Sequence, residues 1–429
     1  MTQLLASTPF LASFKASESG AFEDIPLWLK EARRIDACWL DSFELPSFRD
    51  EEWKYTPLTS LWRRSFDLVE RLDGVIPEQL KPFLIDGARN VLVLNGHYAG
   101  EVSSLPAEGF AGVTLLSGGA AYDVFKDGRQ YFSAVTRNDA ELFCRLNRQF
   151  LQDPLAILVK PGTTAQGLVH ILNVVTSPGV VVFPRIFIRV GQGAALNVLQ
   201  SYLSLSSLTG GPQLNVPVTD IVLEAGGGLE YGERHLQSVG SSYIGAVRVW
   251  QKSDSSFKSM MSTTGAGIFR SNISVMLEGA GASAQINGLH DLHAEAHADS
   301  HTFLEHLAPD TKSDQLYKCI LYDAAHSVFN GRVFVRRDAQ KTSSYQLNKN
   351  LLLSRECRVD TKPQLEIMAD DVKCTHGATI SQLDEEQLFY LQTRAVGRED
   401  SVGMLVRGFM DDVLSTVSHP LIRKALMKG

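Results

Sequence analysis

Val180-Val181-Val182-Phe183, the break Pro184-Arg185, Ile186-Phe187-Ile188-Arg189-Val190 and the corner Gly191-Gln192-Gly193 follow one another directly. Short runs of β-branched and aromatic residues closed by glycine are strands ending in turns. The same unit lies upstream in Ala156-Ile157-Leu158-Val159 and Leu168-Val169-His170-Ile171-Leu172. Downstream it returns in Asp220-Ile221-Val222-Leu223, Ser274-Val275-Met276-Leu277, Val333-Phe334-Val335 and Leu365-Glu366-Ile367. Further corners, Gly226-Gly227-Gly228 and Gly279-Ala280-Gly281, stand 35 and then 53 residues beyond the one before. A propeller would repeat more evenly. From about residue 155 to 378 helical periodicity is almost absent, so the core is mainly β: a sandwich, a barrel or a β-helix. Strand content alone does not choose among the three.

Outside this core the period changes. Asp24 and Pro26 open an apolar stripe through Trp28, Leu29, Ala32, Ile35, Cys38, Trp39 and Leu40, spaced as in a helix. The charged and aromatic segment Glu52-Trp53-Lys54-Tyr55-Thr56 follows, then short strands at Val91-Leu92-Val93-Leu94 and Gly112-Val113-Thr114-Leu115. A second helix is expected over Asn138–Leu151, capped by Asn138, with Leu142, Phe143, Leu146 and Phe150 on one face. Beyond the core, Asp384-Glu385-Glu386 places acid at a helix start, where it suits the macrodipole. Ser401–Val417 then carries an apolar stripe, Pro420 ends it, and Arg423, Lys424 and Lys428 make a basic tail. The chain therefore divides into a mainly helical N-terminal domain (1–154), a β core (155–380) and a C-terminal helical domain (381–429).

At 429 residues, 44% hydrophobic and 21% charged, this is the composition of an ordinary soluble protein. A net charge of −7 argues against a nucleic-acid platform. The longest apolar stretch is broken by Pro184, Arg185 and Arg189, so no membrane span is expected. The first twenty residues have neither the order of a signal peptide nor the arginines of a transit peptide, and a cytoplasmic location is expected. Cys38, Cys144, Cys319, Cys357 and Cys374 form no CxxC pair, which excludes a ferredoxin-like nest. Most are expected to be buried small hydrophobes. Phosphate-loop, nucleophile-elbow and HExxH signatures are absent from the sequence, so neither ATP hydrolysis nor another enzymatic activity is expected of the chain alone.

Two places could carry chemistry. His290, His293, His297, His301 and His306 are five of eleven histidines. On a helix the first four would share a stripe; on a strand the odd-numbered ones would share a face. His293, His297 and His301 are thus weak metal candidates, against a plain reading as polar ladders on a sheet. The second place is Asp370-Asp371-Val372-Lys373-Cys374-Thr375-His376-Gly377-Ala378-Thr379. Cys374 and His376 would point the same way on a strand. A cationic neighbour would lower the thiol's pKa, and thiolate with imidazole suits iron or zinc. Two ligands are half a site; a second chain would have to supply the rest.

Phe329-Asn330-Gly331-Arg332-Val333, Ala339-Gln340-Lys341-Thr342, Asn350-Leu351-Leu352-Leu353-Ser354, Pro363-Gln364-Leu365-Glu366-Ile367, the Asp370–Thr379 segment and Leu388-Phe389-Tyr390-Leu391 together resemble the SufB/SufD family. Glu52-Trp53-Lys54-Tyr55-Thr56 is similar to the family's N-terminal signature, and Leu146-Asn147 precedes the core as in the family. Two positions depart: Ile380-Ser381 follows HGAT where the family commonly continues VG, and Thr393-Arg394-Ala395 replaces SRG. The resemblance implies a right-handed parallel β-helix core and a non-catalytic scaffold of iron–sulfur cluster assembly. It implies pairing with a SufB-like paralogue, with a homodimer possible in isolation, and docking of a SufC-like ABC ATPase on the C-terminal helices. The stripe Val402, Leu405, Val406, Phe409 and Val413 is the expected docking face. The form of the Asp370–Thr379 segment, with no Cys-rich N-terminal insertion, favours the SufD branch. In the family the position matching His376, and less firmly that of Cys374, lies at the SufB interface, where a transient cluster would form. No intrinsic cofactor is expected, and nothing in the sequence bears on a flavin in the complex. The nearest alternative is a SufB-type subunit. A β-helix polysaccharide enzyme would need carboxylates along one sheet face, whereas Asp370 and Asp371 would point to opposite faces.

Overall fold

In the computed structural model, residues 4–15, 25–46, 50–56, 58–69, 78–104, 110, 112–132, 141–205, 212–236 and 240–427 are described. Asp24, Asn138 and Lys428, expected at a helix start, a helix cap and the basic tail, lie outside them. The core is a two-sheet parallel β-solenoid of about 8 turns, the β-helix that the family resemblance implied. From Val218 onward successive strands alternate between the sheets, so each pairs with the strand next but one along the chain. One coil takes 26 to 33 residues: Ser242 faces Ile268, and Leu196 faces Leu229. Side chains alternate in and out along each strand. Leu196, Ile221, Val247, Val275, Leu304 and Val333 are among those filling the lumen.

One corner of the solenoid is a continuous ladder. Gly162, Gly193, Gly226, Asp254, Gly281, Asp310 and Lys341 all have positive φ. The N–H of each donates to a carbonyl in the next coil: Gly162 to Gln192 (2.8 Å), Gly193 to Ala225 (2.9 Å), Gly226 to Ser253 (2.8 Å) and Asp254 to Ala280 (2.9 Å). Gly281, Asp310 and Lys341 continue to Pro309, Gln340 and Asp371. The uneven glycine spacing is thereby explained. The longer interval spans two coils, and Asp254 holds the corner between them.

The N-terminal helices cover the outer face of the first sheet. Helix α1 (Leu27–Ser42) buries Trp28, Leu29, Arg33, Asp36 and Leu40. Its buried face passes through Arg33 and Asp36, while Ile35 and Cys38 of the expected stripe are exposed. Charge pairing explains the difference: Asp36 meets Arg148 at 2.5 Å and Arg145 at 2.9 Å, both on α2 (Glu141–Phe150). Asn147 of α2 is fully buried and donates to the carbonyls of Pro184 (2.9 Å) and Val216 (2.8 Å), tying the helix to the sheet. Beside it, buried Asp220 accepts from Arg185 and Arg248. Such a pair is costly to bury and costlier to break.

The C-terminal helices α3 (Glu385–Thr393), α4 (Arg398–Leu414) and α5 (Pro420–Leu426) follow the second sheet. Asp384 caps α3 by accepting from the Glu386 N–H at 2.9 Å. Ala395, where the family commonly has glycine, closes α3 with φ +63°. Helix α4 turns much of its apolar stripe to the solenoid. Val406 and Val413 are buried against Leu168, Leu199, Met260, Leu289, Ile320 and Leu351 on the solenoid's outer face, with Val402 and Phe409 packed partly against them and Leu405 half-buried. Lys318 locks the helix by donating to Phe409 O at 2.8 Å and pairing with Asp412 at 2.5 Å. This chain's own sheet therefore takes up Val406 and Val413 fully and Val402 and Phe409 in part. The helices instead expose Phe389, Tyr390 and Met404. No helix among the described residues is long and apolar enough to cross a membrane.

Candidate functional site

The two ends of the solenoid differ. At the N-terminal end, antiparallel strands finish the sheets: Val113–Ser117 against Leu155–Val159, and His97–Tyr98 against Arg89–Leu94. At the other end, Arg358–Ile367 closes the first sheet and Lys373–Ser381 the second, with no further strand beyond either among the described residues. Unpaired edges are templates for another chain. This end also exposes Ile367, Met368 and Ile380.

Cys374 and His376 lie on the last strand. Their register partners, Ser344 and Gln346, point into the lumen of the coil below, so both residues project over the mouth of the solenoid. Cys374 is half-buried and touches the lumen core; His376 is exposed. The expected activation of the thiol does not follow. Burial raises the Cys374 pKa and a backbone hydrogen bond from Ser344 only partly offsets it. Asp370 and Asp371 form the turn before the strand, where Asp371 N–H donates to Gln340 Oε1 at 2.9 Å. Of the other cysteines, Cys144 and Cys319 are buried as expected, whereas Cys38 is exposed and Cys357 half-buried.

The histidine stripe is dispersed by the strand geometry. His290 and His306 are buried and paired with hydroxyls: His290 with Ser300 (2.9 Å) and Ser327 (3.0 Å), His306 with Thr311 (2.8 Å) and Ser313 (2.9 Å). His293 sits on a turn stacked on Tyr322. His297 and His301 do share the outer face of strand His297–His306, but with different neighbours. His301 meets Asp299 at 2.9 Å and Arg270 at 3.2 Å; His297 meets Thr56 at 2.9 Å and His326 at 3.2 Å. Among the described residues no three His, Cys, Asp or Glu side chains converge to hold a metal ion.

The Glu52–Thr56 segment clasps this face close to the open end. Arg270 lies 3.8 Å from the Trp53 ring centre, Asn330 donates to Glu52 at 3.0 Å, Thr56 donates to Asp299 at 2.5 Å, and Lys362 pairs with Glu51. A cavity of about 360 Å³ lies between the clasp and the last two coils. His326 and Asp360, next to this cluster, are not singled out by any motif in the sequence. Coil length brings the two histidines together: His297 and His326 are register partners one coil apart.

The fold is that of a parallel β-solenoid whose last coil, among the described residues, carries no further strand on either sheet. Residues 173–409, more than half of the chain, match the family model of the SufBD core domain of the SUF system for FeS cluster assembly. The chain belongs to the SufB/SufD family. It is 31% identical to the iron–sulfur cluster assembly protein SufD of Escherichia coli, over 89% of this chain and 88% of that one. It is 28% identical to a SufBD family protein of Synechocystis, over 94% and 90%. It is also 28% identical to the chloroplastic protein ABCI7 of Arabidopsis thaliana, over 97% and 89%. These relatives agree with the SufD-type resemblance read from the motifs.

Proposed function

We propose that the chain is a cytoplasmic, non-catalytic SufD-type subunit that pairs through its open end with a SufB-like paralogue and supplies one half of a cluster assembly site. The supporting observation is the last coil: two unpaired strand edges, an apolar rim, and Cys374 with His376 over the mouth. Strand pairing across such an edge joins two solenoids end to end with main-chain hydrogen bonds. His376 then offers an imidazole ligand, while the sulfur acceptor comes from the partner, because Cys374 is held as a thiol. The transient cluster is cargo. A SufC-like ABC ATPase docks on the outward side of the C-terminal helices, where Phe389, Tyr390 and Met404 are exposed, since the inward stripe is covered.

Co-expression tests this reading. The chain should co-purify with a SufB-type paralogue and a SufC-type ATPase, and the assembled complex should build a cluster anaerobically. Lys373 N–H donates inward to Thr342, so the N–H of Ala378, on the alternate set of the last strand, faces the open edge; placing proline at Ala378 removes that donor and should weaken pairing with the paralogue. Undiminished pairing would remove the end-to-end arrangement.

A further inference from the structure

His297 and His326 face each other across adjacent coils with Nδ1 atoms 3.2 Å apart and ring centres 4.9 Å apart. What lies behind each ring fixes where its hydrogen is. Asp299 accepts from Arg270 at 3.3 Å and lies 2.9 Å from His301. Thr56, 2.5 Å from Asp299 Oδ2, has one hydroxyl hydrogen and donates it there. The Thr56 oxygen must then accept from His297 Nε2, 2.9 Å away. On the other ring, His326 Nε2 is 2.8 Å from Asp360 Oδ2, a carboxylate oxygen that also accepts from Arg358 Nε at 2.9 Å. His326 Nε2 therefore donates as well. With both Nε2 atoms donating, Nδ1 is the ring nitrogen left on each histidine to bind an ion, and the two Nδ1 atoms are neighbours.

Two ring nitrogens this close are stabilised by a cation that both can bind. We propose that His297 and His326 form a two-imidazole seat for a divalent transition-metal ion of the Zn²⁺ or Co²⁺ class, its remaining positions filled by water. Metal–nitrogen bonds of 2.0–2.1 Å in tetrahedral geometry set the two nitrogens about 3.3 Å apart, which the Nδ1 separation matches. Imidazoles that bind metal usually donate their other N–H to a carboxylate or another oxygen acceptor. Asp360 does this for His326, and Thr56, backed by Asp299, does it for His297. The side chains of His326 and Asp360 are 20% and 19% exposed, so an ion can enter from solvent. The seat is on the outer face of the first sheet, whereas Cys374 and His376 are on the second, and it stands or falls independently of the proposed pairing.

The test is cobalt titration of the full chain after chelator treatment, read by visible absorption, with zinc as competitor. One ion should bind per chain at this seat. His297→Ala and His326→Ala should each weaken binding at least tenfold, and Asp360→Asn should weaken it about 10- to 100-fold. His293→Ala should leave it unchanged. Circular dichroism without metal checks that the variants fold. On the unaltered chain, zinc should protect His297 and His326 from diethyl pyrocarbonate, a readout that needs no variant. Failure of the wild-type chain to bind cobalt, or unchanged binding by a folded His326→Ala chain with no protection by zinc, would overturn the proposal. The two rings would then share only a proton.

Discussion

Cys374 and His376 stand two residues apart on the last strand, yet their surroundings give them different capacities. His376 is exposed at the mouth, while Cys374 leans on the lumen core and its thiol pKa is raised. The sequence placed both on one strand face. It could not show the burial of one of them, because that depends on the coil beneath, at Ser344. Burial raises the thiol pKa, and the hydrogen bond from the Ser344 backbone that works against it does not outweigh it. His376→Ala should therefore sharply reduce cluster formation by the assembled complex while costing within about 1 kcal/mol of stability, since it removes an exposed side chain. Cys374→Ser should be milder. Anaerobic reconstitution with complex recovery measured in parallel checks both, and normal cluster yield from His376→Ala would leave that histidine without a role in assembly.

Among the elements, α4 shows what an amphipathic pattern does and does not say. The stripe through Val402, Val406 and Val413 correctly predicts a helix with one buried face. It carries no information about what buries that face, and the second sheet does so through Leu199, Met260, Leu289 and Ile320. The sheet's outward residues gave little warning, because Met260 and Leu289 stand among Ser, Thr, Asn and His in Ser256–Thr263 and Ser283–Leu292. The N-terminal helix was harder to read. Its buried face includes Arg33 and Asp36, whose partners Arg145 and Arg148 lie more than a hundred residues away. For α4 the consequence is testable. Deleting residues 399–429 should uncover a contiguous apolar face, so the shortened chain should melt at lower temperature and bind a hydrophobic dye more strongly than the full chain. Burial at about 25 cal/mol per Å² makes this cover worth several kcal/mol. A truncated chain that melts like the whole would show that the helices only rest on the sheet.

Across the whole molecule, the strand content was plain in the sequence but the repeat was hidden, because glycine was the wrong marker for it. The corner needs a left-handed residue once per coil, and Asp254, Asp310 and Lys341 meet that need where glycine is absent. Aspartate tolerates the conformation, at some cost, and the stacked hydrogen bonds fix it. Closing the coils also buries histidines far apart in sequence, which ties stability to pH. His170 and His235 are pushed down to about 3, and His290 and His306 to about 4, mainly by burial. Each is neutral in the fold and would titrate near 6.5 when unfolded. Their contribution is intact above pH 6.5 and is lost as pH falls from 6.5 towards 4, by up to about 1.4 kcal/mol per pH unit for each. Glu233 works in the opposite direction. Burial raises it to about 7, so its cost grows as pH rises from 4.5 to 7 and is relieved by acid. Four histidines outweigh one carboxyl. The thermal midpoint should fall steeply between pH 6.5 and 4, with more than one proton taken up per chain on unfolding. Glu233→Gln should raise the midpoint at pH 8 and change it little at pH 4.5, where the native carboxyl is already protonated. A flat midpoint from pH 7 to 4.5, or a Glu233→Gln gain as large at pH 4.5 as at pH 8, would mean that water solvates these buried groups in the folded protein.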